Sequence, residues 1–581
     1  MRSWLTDTAT MSRFPLYTRG NADEVGPEPF PPLTWTLTWE QGAALGVADG
    51  WVHLGGFREE EFRRPVPEVF GNWGGYFYNQ VSVGRVFSAR MPGGSPDAID
   101  QAYFGPGADI PPYQEHPNDQ DPALSERLAQ TVAWVLSTDG APYLDDFVAQ
   151  ARTWIRERPD LTVLSDADLV AYGREASYRL RLTWDVYAQV VISASVGPAV
   201  VEAVTTALGR PQDAVAVFTA LGGVETASTS QQVWDLSRSI RCSDALTRAF
   251  DDGVEDLLER LRKEDSSEVA AFLDGFRALL ADHGHRGPNE WDLMSDSWFT
   301  RPELALGVLD RVRLQDDGHG PAERSAAGAA GRERVTAELL AAVAGDPGTA
   351  ATLECGIRSG QLFYRLRELG KDTAVRVMLE AKLPFFELGQ RLAARGQISH
   401  PKHVFQLLDS ELDEFGRHPD TWREKLEKRA ADFATLAERV PPYTVSHGIP
   451  VPPIDSWPLR SRSGSAPGET AQAGAVLRGS GVSPGIVTGR ARVVFDLSEA
   501  DDLQPGEILV CGTTDPSWVS LFMVAGGVIC EIGAQGSHAA IVSRELGVPC
   551  VASLDAARRL ITQGQLLSLD GTTGAVTLLA G

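Results

Sequence analysis

The chain has 581 residues, 43% hydrophobic and 23% charged, an ordinary balance for a folded protein, and its length calls for about two to four domains rather than one core. A formal net charge of -25, with no Lys/Arg block to offset it, argues against nucleic acid as a partner. No stretch approaches about 18 uninterrupted apolar residues, the start MRSWLTDTATMSRF has no apolar h-region, and Cys242, Cys355, Cys511, Cys530 and Cys550 lack CxxC spacing, so buried thiols, a cytoplasmic location and no membrane partner are expected.

Residues 1–115 are rich in Pro, Gly and aromatics. Short apolar runs such as Trp51–Leu54 and Tyr76–Val83 suggest loops and a small sheet. From about 121 to 440 the periodicity is helical, over Leu124–Leu136, Asp166–Val196, Ser243–His283 and Arg334–Arg395. The Gly/Ala-rich stretch Asp316–Gly331 reads as a loop within it. Trp73, Tyr76, Phe77, Tyr78, Trp184, Tyr187 and Trp234 read chiefly as core. Ser461–Gly474 is a Ser/Gly/Ala/Pro tract without core-forming residues, hence a linker.

Beyond it the pattern is α/β. Strands are predicted at Val476–Val482, Ile486–Val494, Glu507–Cys511, Gly527–Cys530, Pro549–Val551, Gln565–Asp570 and Ala575–Leu579, with helical pieces near Ser517–Val524, His538–Leu546 and Leu554–Leu560. The string Gly533-Ala-Gln-Gly-Ser-His-Ala-Ala-Ile-Val-Ser-Arg-Glu-Leu-Gly-Val-Pro549 sets His538 at a helix start. Ser537 suits the N-cap, and Gly547 with Pro549 ends the helix. The free N–H groups and positive dipole end disfavour imidazolium and favour an anion on the ring. That is the setting for a histidine that accepts a phosphoryl group and passes it on.

The segment Gly479–Leu579 resembles the swivelling phosphohistidine domain of the phosphoenolpyruvate-utilising enzymes. The resemblance rests on Gly481-Val-Ser-Pro-Gly-Ile-Val-Thr-Gly489, Gly506-Glu-Ile-Leu-Val510, Thr513-Thr-Asp-Pro-Ser-Trp518 and the His538 string, with Ala534 where a second Gly is usual. It implies that His538 is phosphorylated transiently, supported by Ser537, Gly536, Thr513, Thr514 and Arg544. More patchily, the upstream part resembles the antibiotic-binding domain of rifampin phosphotransferase. This likeness rests on Arg19-Gly-Asn-Ala-Asp-Glu-Val-Gly-Pro27, Pro31-Pro-Leu-Thr34, Gly284-His-Arg-Gly-Pro-Asn-Glu-Trp-Asp292, Arg367-Glu-Leu-Gly-Lys371 and Gly396–Leu407. The implied organisation is multi-domain: a mainly α-helical substrate-binding domain over 1–460 (loop/β-rich over 1–115, helical over 116–460), a linker over 461–474, and an α/β swivelling phosphohistidine domain over 475–581.

Arg286, Arg367 and Lys371 are the candidates to neutralise a moving phosphoryl group, because guanidinium and ammonium groups match phosphate oxygens. Arg358 is a weaker candidate. Glu290, Asp292, His283 or His285 would take a proton from a substrate hydroxyl, and Glu368 completes the Arg367–Lys371 set. Asn21 and Glu24, with Arg19, would line the substrate cleft. No zinc, iron–sulfur or calcium spacing is present, so no protein-bound metal is expected. No Gly-rich loop with a following Lys precedes Arg19. The resemblance therefore implies that ATP and magnesium act through a separate ATP-grasp partner, which phosphorylates His538 for transfer to a small-molecule hydroxyl. Two alternatives stay open: phosphorylation followed by elimination, a net dehydration, and a non-catalytic binding protein that retains the fold.

Overall fold

The computed structural model describes residues 4–104, 110–223, 225–460, 471–495, 503–514, 518–533 and 537–580. It bears out the expected class, a mainly helical chain with a small N-terminal β region and a C-terminal α/β domain. Compactness groups the residues differently from a 1–460, 461–474, 475–581 division. One unit comprises Met1–Val196, Trp291–Met294 and Leu369–Ser461, and the other Gly197–Glu290, Ser295–Glu368 and Arg462–Gly581. Of the expected linker, residues 461–470 lie outside the described residues.

The first unit holds a four-stranded antiparallel sheet of β1 (Leu16–Thr18), β2 (Phe70–Trp73), β3 (Tyr76–Gln80) and β4 (Thr444–Ser446), in the order β2-β3-β1-β4. Gly74 and Gly75, at φ 59° and 84°, supply the two positive φ angles that a tight β2–β3 hairpin requires. Gln80 ends β3 and caps the helix Val81–Arg90 by accepting from Ser82 N–H at 2.7 Å. Trp51–Leu54 is not part of the sheet. Trp51–His53 closes the helix Ala44–His53, because Gly42, Gly46 and Gly50 give this segment a flat face one residue per turn. That face lies hard against the helix Asp166–Ala207: a Cβ at Gly46 would sit 2.2 Å from the Arg181 carbonyl, and one at Gly50 2.6 Å from that of Asp185. Asp166–Ala207 has the length and composition to cross a membrane, with a mean hydropathy of 1.6 over its most apolar stretch. Its Leu180, Trp184 and Tyr187 enter the aromatic core of this unit.

Trp39 centres that core, on a π-helical segment, Thr34–Ala43, whose Thr36 and Thr38 hydroxyls donate back to the Pro32 and Thr34 carbonyls. Its ring stacks on Phe30 at 5.2 Å and meets Phe77, Phe70, Trp184 and Trp291, and its Nε1–H donates to the Trp291 carbonyl at 3.2 Å. All seven aromatics expected in the core are buried. Glu411 ties the late part of the unit together. Arg429 grips it with two hydrogen bonds of 2.6 and 2.8 Å, and Lys425 and the Leu408 N–H add two more at 3.0 Å. Burial alone would raise its pKa, yet these donors win and pull it from 4.5 down to about 2.

In the second unit the helices Glu225–Arg241, Ser267–His283, Glu303–Arg313 and Pro321–Val343 pack beside an eight-stranded sheet. Its strands are β5 (Val476–Arg478), β6 (Ser480–Ser483), β7 (Ile486–Val493), β8 (Ile508–Cys511), β9 (Gly527–Cys530), β10 (Cys550–Ala552), β11 (Leu566–Asp570) and β12 (Ala575–Leu578), in the order β5-β12-β11-β7-β8-β9-β10-β6. The run β7-β8-β9-β10 is parallel, and its flanking pairs are antiparallel. The other predicted C-terminal strands and helices appear within a few residues of their expected ends, but the expected strand Val476–Val482 is two: it breaks at Gly479, and β5 and β6 stand at opposite edges of the sheet, paired with β12 and β10. The Gly/Ala-rich stretch is a correction. Most of it opens the helix Pro321–Val343, with Pro321 in the first turn and enough Ala to outweigh Gly328 and Gly331. A second correction concerns the thiols: Cys511, Cys530 and Cys550 are buried, but Cys242 and Cys355 are exposed.

Two measurements check these contacts. Gly46→Ala forces a methyl into the Arg181 carbonyl and is expected to lower unfolding free energy by about 1–3 kcal/mol in urea denaturation. Glu411 has a depressed folded pKa, so its contribution is present above pH 4.5 and lost as pH falls through about 2. Glu411→Gln is expected to cost about 1–2 kcal/mol at pH 7, less than the full shift at 1.36 kcal/mol per pKa unit because solvent screens a partly exposed carboxylate, and to flatten the stability profile below pH 5.

Candidate functional site

His538 opens the helix His538–Leu546, as its sequence predicts. Ser537 is extended at φ -69° and ψ 160°, and its Oγ accepts from Ala540 N–H at 3.2 Å. Gly547, at φ 64°, ends the helix in the left-handed region. The His538 ring is buried, edge-on to Phe522 at 6.0 Å, with Nδ1 3.1 Å from Thr514 Oγ1. In the tautomer that donates Nδ1–H to Thr514, the Nε2 lone pair is the nucleophile. Thr513 is half-buried immediately before Thr514. Gly536 lies outside the described residues, as do Ala534, Gln535 and Asp515–Ser517 of the motifs.

The helix behind His538 is fixed by packing. Ala539, Ala540, Val542 and Leu546 enter one apolar core with Leu509, Val528, Val233, Trp234, Trp298 and Leu306. The Glu225–Arg241 helix of that core touches the His538 helix and also packs on Ser267–His283. Its Thr229 bonds His283 Nδ1 at 3.0 Å. The turn after His283 is closed by backbone bonds from Trp298 N–H to the Arg286 carbonyl, at 2.7 Å, and from Phe299 N–H to that of Gly284, at 2.8 Å. This turn gathers four predicted residues. His283, His285, Arg286 and Glu290 are all buried, the two imidazoles stand 6.3 Å apart, and Arg286 Nη1 lies 3.5 Å from Glu290 Oε1. Burying an acid, a base and two imidazoles in eight residues is costly unless they partner one another or an incoming group.

Other predicted residues fall elsewhere. Asp292 belongs to the first unit, where it accepts from Thr34 Oγ1 at 2.6 Å and from Met294 N–H at 3.0 Å. Lys371 is also in that unit, although it shares the helix Pro347–Ala394 with Arg358, Arg367 and Glu368 of the second. Arg19 is buried under the Tyr76 and Tyr78 rings and donates to the Phe77 and Gly26 carbonyls and to Asp23, an anchoring role. Asn21, in the left-handed region at φ 56°, precedes the short helix Ala22–Val25, which carries Glu24, without a side-chain capping bond. Arg544 is at the far end of the His538 helix, its Nε–H donating to the Val482 carbonyl at 2.7 Å. Burial lowers its pKa, and the Arg367 charge adds to that, while Tyr364 opposes it. Glu368 lines a small cavity there with Tyr364, Ile541, Arg544 and Glu545. Thr229, Phe522, Tyr364 and Glu545 are the neighbours that sequence reasoning missed. Only Glu545, inside the His538 string, carried any local signal.

Residues 187–368 match the family model of the rifampicin phosphotransferase fourth domain, and residues 503–574 that of the mobile domain of phosphoenolpyruvate-utilising enzymes. An uncharacterised protein of Mycobacterium tuberculosis is 28% identical over 98% of this chain and 62% of its own length. A rifampicin phosphotransferase of Streptomyces sviceus is 29% identical over 56% of this chain and 37% of its own. The prodigiosin synthesizing transferase of Serratia marcescens is 46% identical over 110 residues, 19% of this chain and 12% of its own. The chain thus spans 62% or less of the length of these relatives. It carries a mobile domain of the phosphoenolpyruvate-utilising type and a helical domain of the rifampicin phosphotransferase type, as the motifs implied.

Ser537→Ala deletes the cap that opens the His538 helix. It is expected to cost about 1 kcal/mol of unfolding free energy by denaturant titration, with Ser537→Gly costing less.

Proposed function

We propose that the chain is a phosphotransferase component in which His538 carries a phosphoryl group from an ATP-grasp partner, using ATP and magnesium, to a hydroxyl of a natural-product-like small molecule. One observation carries the reading. His538 is a helix-start imidazole with Nδ1 on the Thr514 hydroxyl, and its helix shares a core with the helices that present His283, His285, Arg286 and Glu290. Two named relatives, a rifampicin phosphotransferase and a prodigiosin synthesizing transferase, support a small-molecule acceptor.

In the charging step the Nε2 lone pair attacks phosphorus, the bond to the leaving oxygen of the donor breaks, and the Nδ1 proton stays toward Thr514. The first-turn N–H groups then face the added negative charge. In delivery the substrate oxygen attacks phosphorus, the P–N bond breaks, and its electron pair returns to Nε2. The hydroxyl proton passes to Glu290 or to a neighbouring imidazole, His283 or His285. Arg286 offsets the charge on the equatorial oxygens, a role worth about 10²–10³ in rate for one preorganised donor.

The test uses the full chain with ATP, magnesium and an active ATP-grasp partner. Acid-labile phosphate is expected on the wild type and none on His538→Ala. Equal label on His538→Ala, or an unlabelled wild type beside the active partner, defeats the reading.

A further inference from the structure

The end of the His538 helix is completed by another part of the chain. Of its last carbonyls, that of Ser543 is taken by the Gly547 and Val548 N–H groups. The Arg544 carbonyl instead accepts from Ala220 N–H at 3.2 Å, and Glu545 Oε1 accepts from Leu221 N–H at 3.2 Å, with the Gly222 N–H also toward that carboxylate. These three amides belong to the turn Thr219–Gly223, where Ala220, Gly222 and Gly223 have φ of 46°, 65° and 67°. Positive φ at Ala220 and Gly222 on either side of Leu221, which is not in that region, aims successive N–H groups to one side, a concavity suited to an anion.

The opposite side of the turn is braced. Arg332 donates to the Thr219 carbonyl at 2.8 Å and to that of Ala220, and Arg365 to those of Leu221 and Gly222 at 3.1 and 3.2 Å. Two guanidiniums therefore hold four consecutive carbonyls, and the amides are left to face the His538 helix. Nothing in the transfer chemistry uses Glu545, Arg332 or Arg365. Glu545 is nonetheless buried, beside Glu368 and within the field of Arg332, and burial raises its pKa.

We propose that the Thr219–Gly223 turn is the seat of the mobile domain, and that Glu545, with Arg332 and Arg365 behind the turn, are positioning residues that fix His538 for delivery. This rests on the phosphocarrier reading for its purpose, but not for its existence. Release would exchange the Glu545–amide and Arg544–amide bonds for bonds to water and would open the apolar core that Ala539, Ala540, Val542 and Leu546 share with Val233, Trp234, Trp298 and Leu306, leaving the domain free to meet its donor.

The test places spin labels at two exposed positions, Ile486→Cys on the mobile domain and Arg277→Cys on the Ser267–His283 helix, in a Cys242→Ser/Cys355→Ser background of the full chain. Pulsed electron–electron resonance is expected to show one narrow distance distribution. Glu545→Ala, and separately Arg332→Ala/Arg365→Ala, should add a second, broader population, with the docked-to-released ratio falling roughly tenfold for one lost charge-assisted hydrogen bond. With donor and acceptor supplied, both variants should charge His538 at the wild-type rate and deliver more slowly. A Glu545→Ala distribution that superposes on the wild type overturns the seat, as does release in Glu545→Ala without release in the arginine pair. The distances are read without ATP, so a wild type that docks but never takes phosphate removes only the phosphocarrier reading.

Discussion

The two central strands of the mobile domain are apolar on both faces, and much of the second unit follows from that. Strands β8, Ile-Leu-Val-Cys, and β9, Gly-Val-Ile-Cys, are buried at every position, as parallel strands require. Ile508, Val510 and Ile529 close one face against Ala557, Ile561 and the antiparallel strands β11 and β12. Leu509, Cys511, Val528 and Cys530 form the other face, covered first by the helices Val519–Val524 and His538–Leu546. Those helices are themselves covered by Val233, Trp234, Trp298 and Leu306. The His538 imidazole is thus carried by a helix wedged between two apolar layers.

What the sequence made legible depended on how local the determinants were. Most of the mobile domain was readable, because its central strands are short apolar runs bounded by Gly or Pro and the His538 helix carries its own cap and stop; the polar strand β6, Ser-Gly-Val-Ser, carried no such signal and was merged with β5. Asp316–Gly331 failed because Gly suggested a loop, while Pro321 and the alanines around Gly328 and Gly331 favour helix. Trp51–Leu54 failed because four alternating residues cannot outweigh a glycine stripe that works only against a distant helix. The exposure of Cys242 and Cys355 had no sequence signal, since composition speaks for cysteines on average and not for each one.

The candidate site shows the same limit more sharply. The string His283–Asp292 looked like one cluster, and four of its charged or imidazole side chains are indeed buried together. Asp292, two residues past Glu290, belongs to the other compact unit and serves Thr34. Conversely Thr229, on the helix Glu225–Arg241, and Tyr364, on Pro347–Ala394, reach the site regions although nothing in the sequence singled them out.

The shared core also bears on how the protein can be divided. Residue 461 is where the chain most invites a cut. A fragment ending there would keep the helices Glu225–Arg241 and Glu303–Arg313 but lose the layer that covers Val233, Trp234, Leu306 and Leu309. Bare aromatic and branched side chains on two adjoining helices make a surface that seeks any other apolar surface. Such a half-protein would be prone to self-association even with every helix formed, so the boundary that is cleanest in composition is a poor one in solubility.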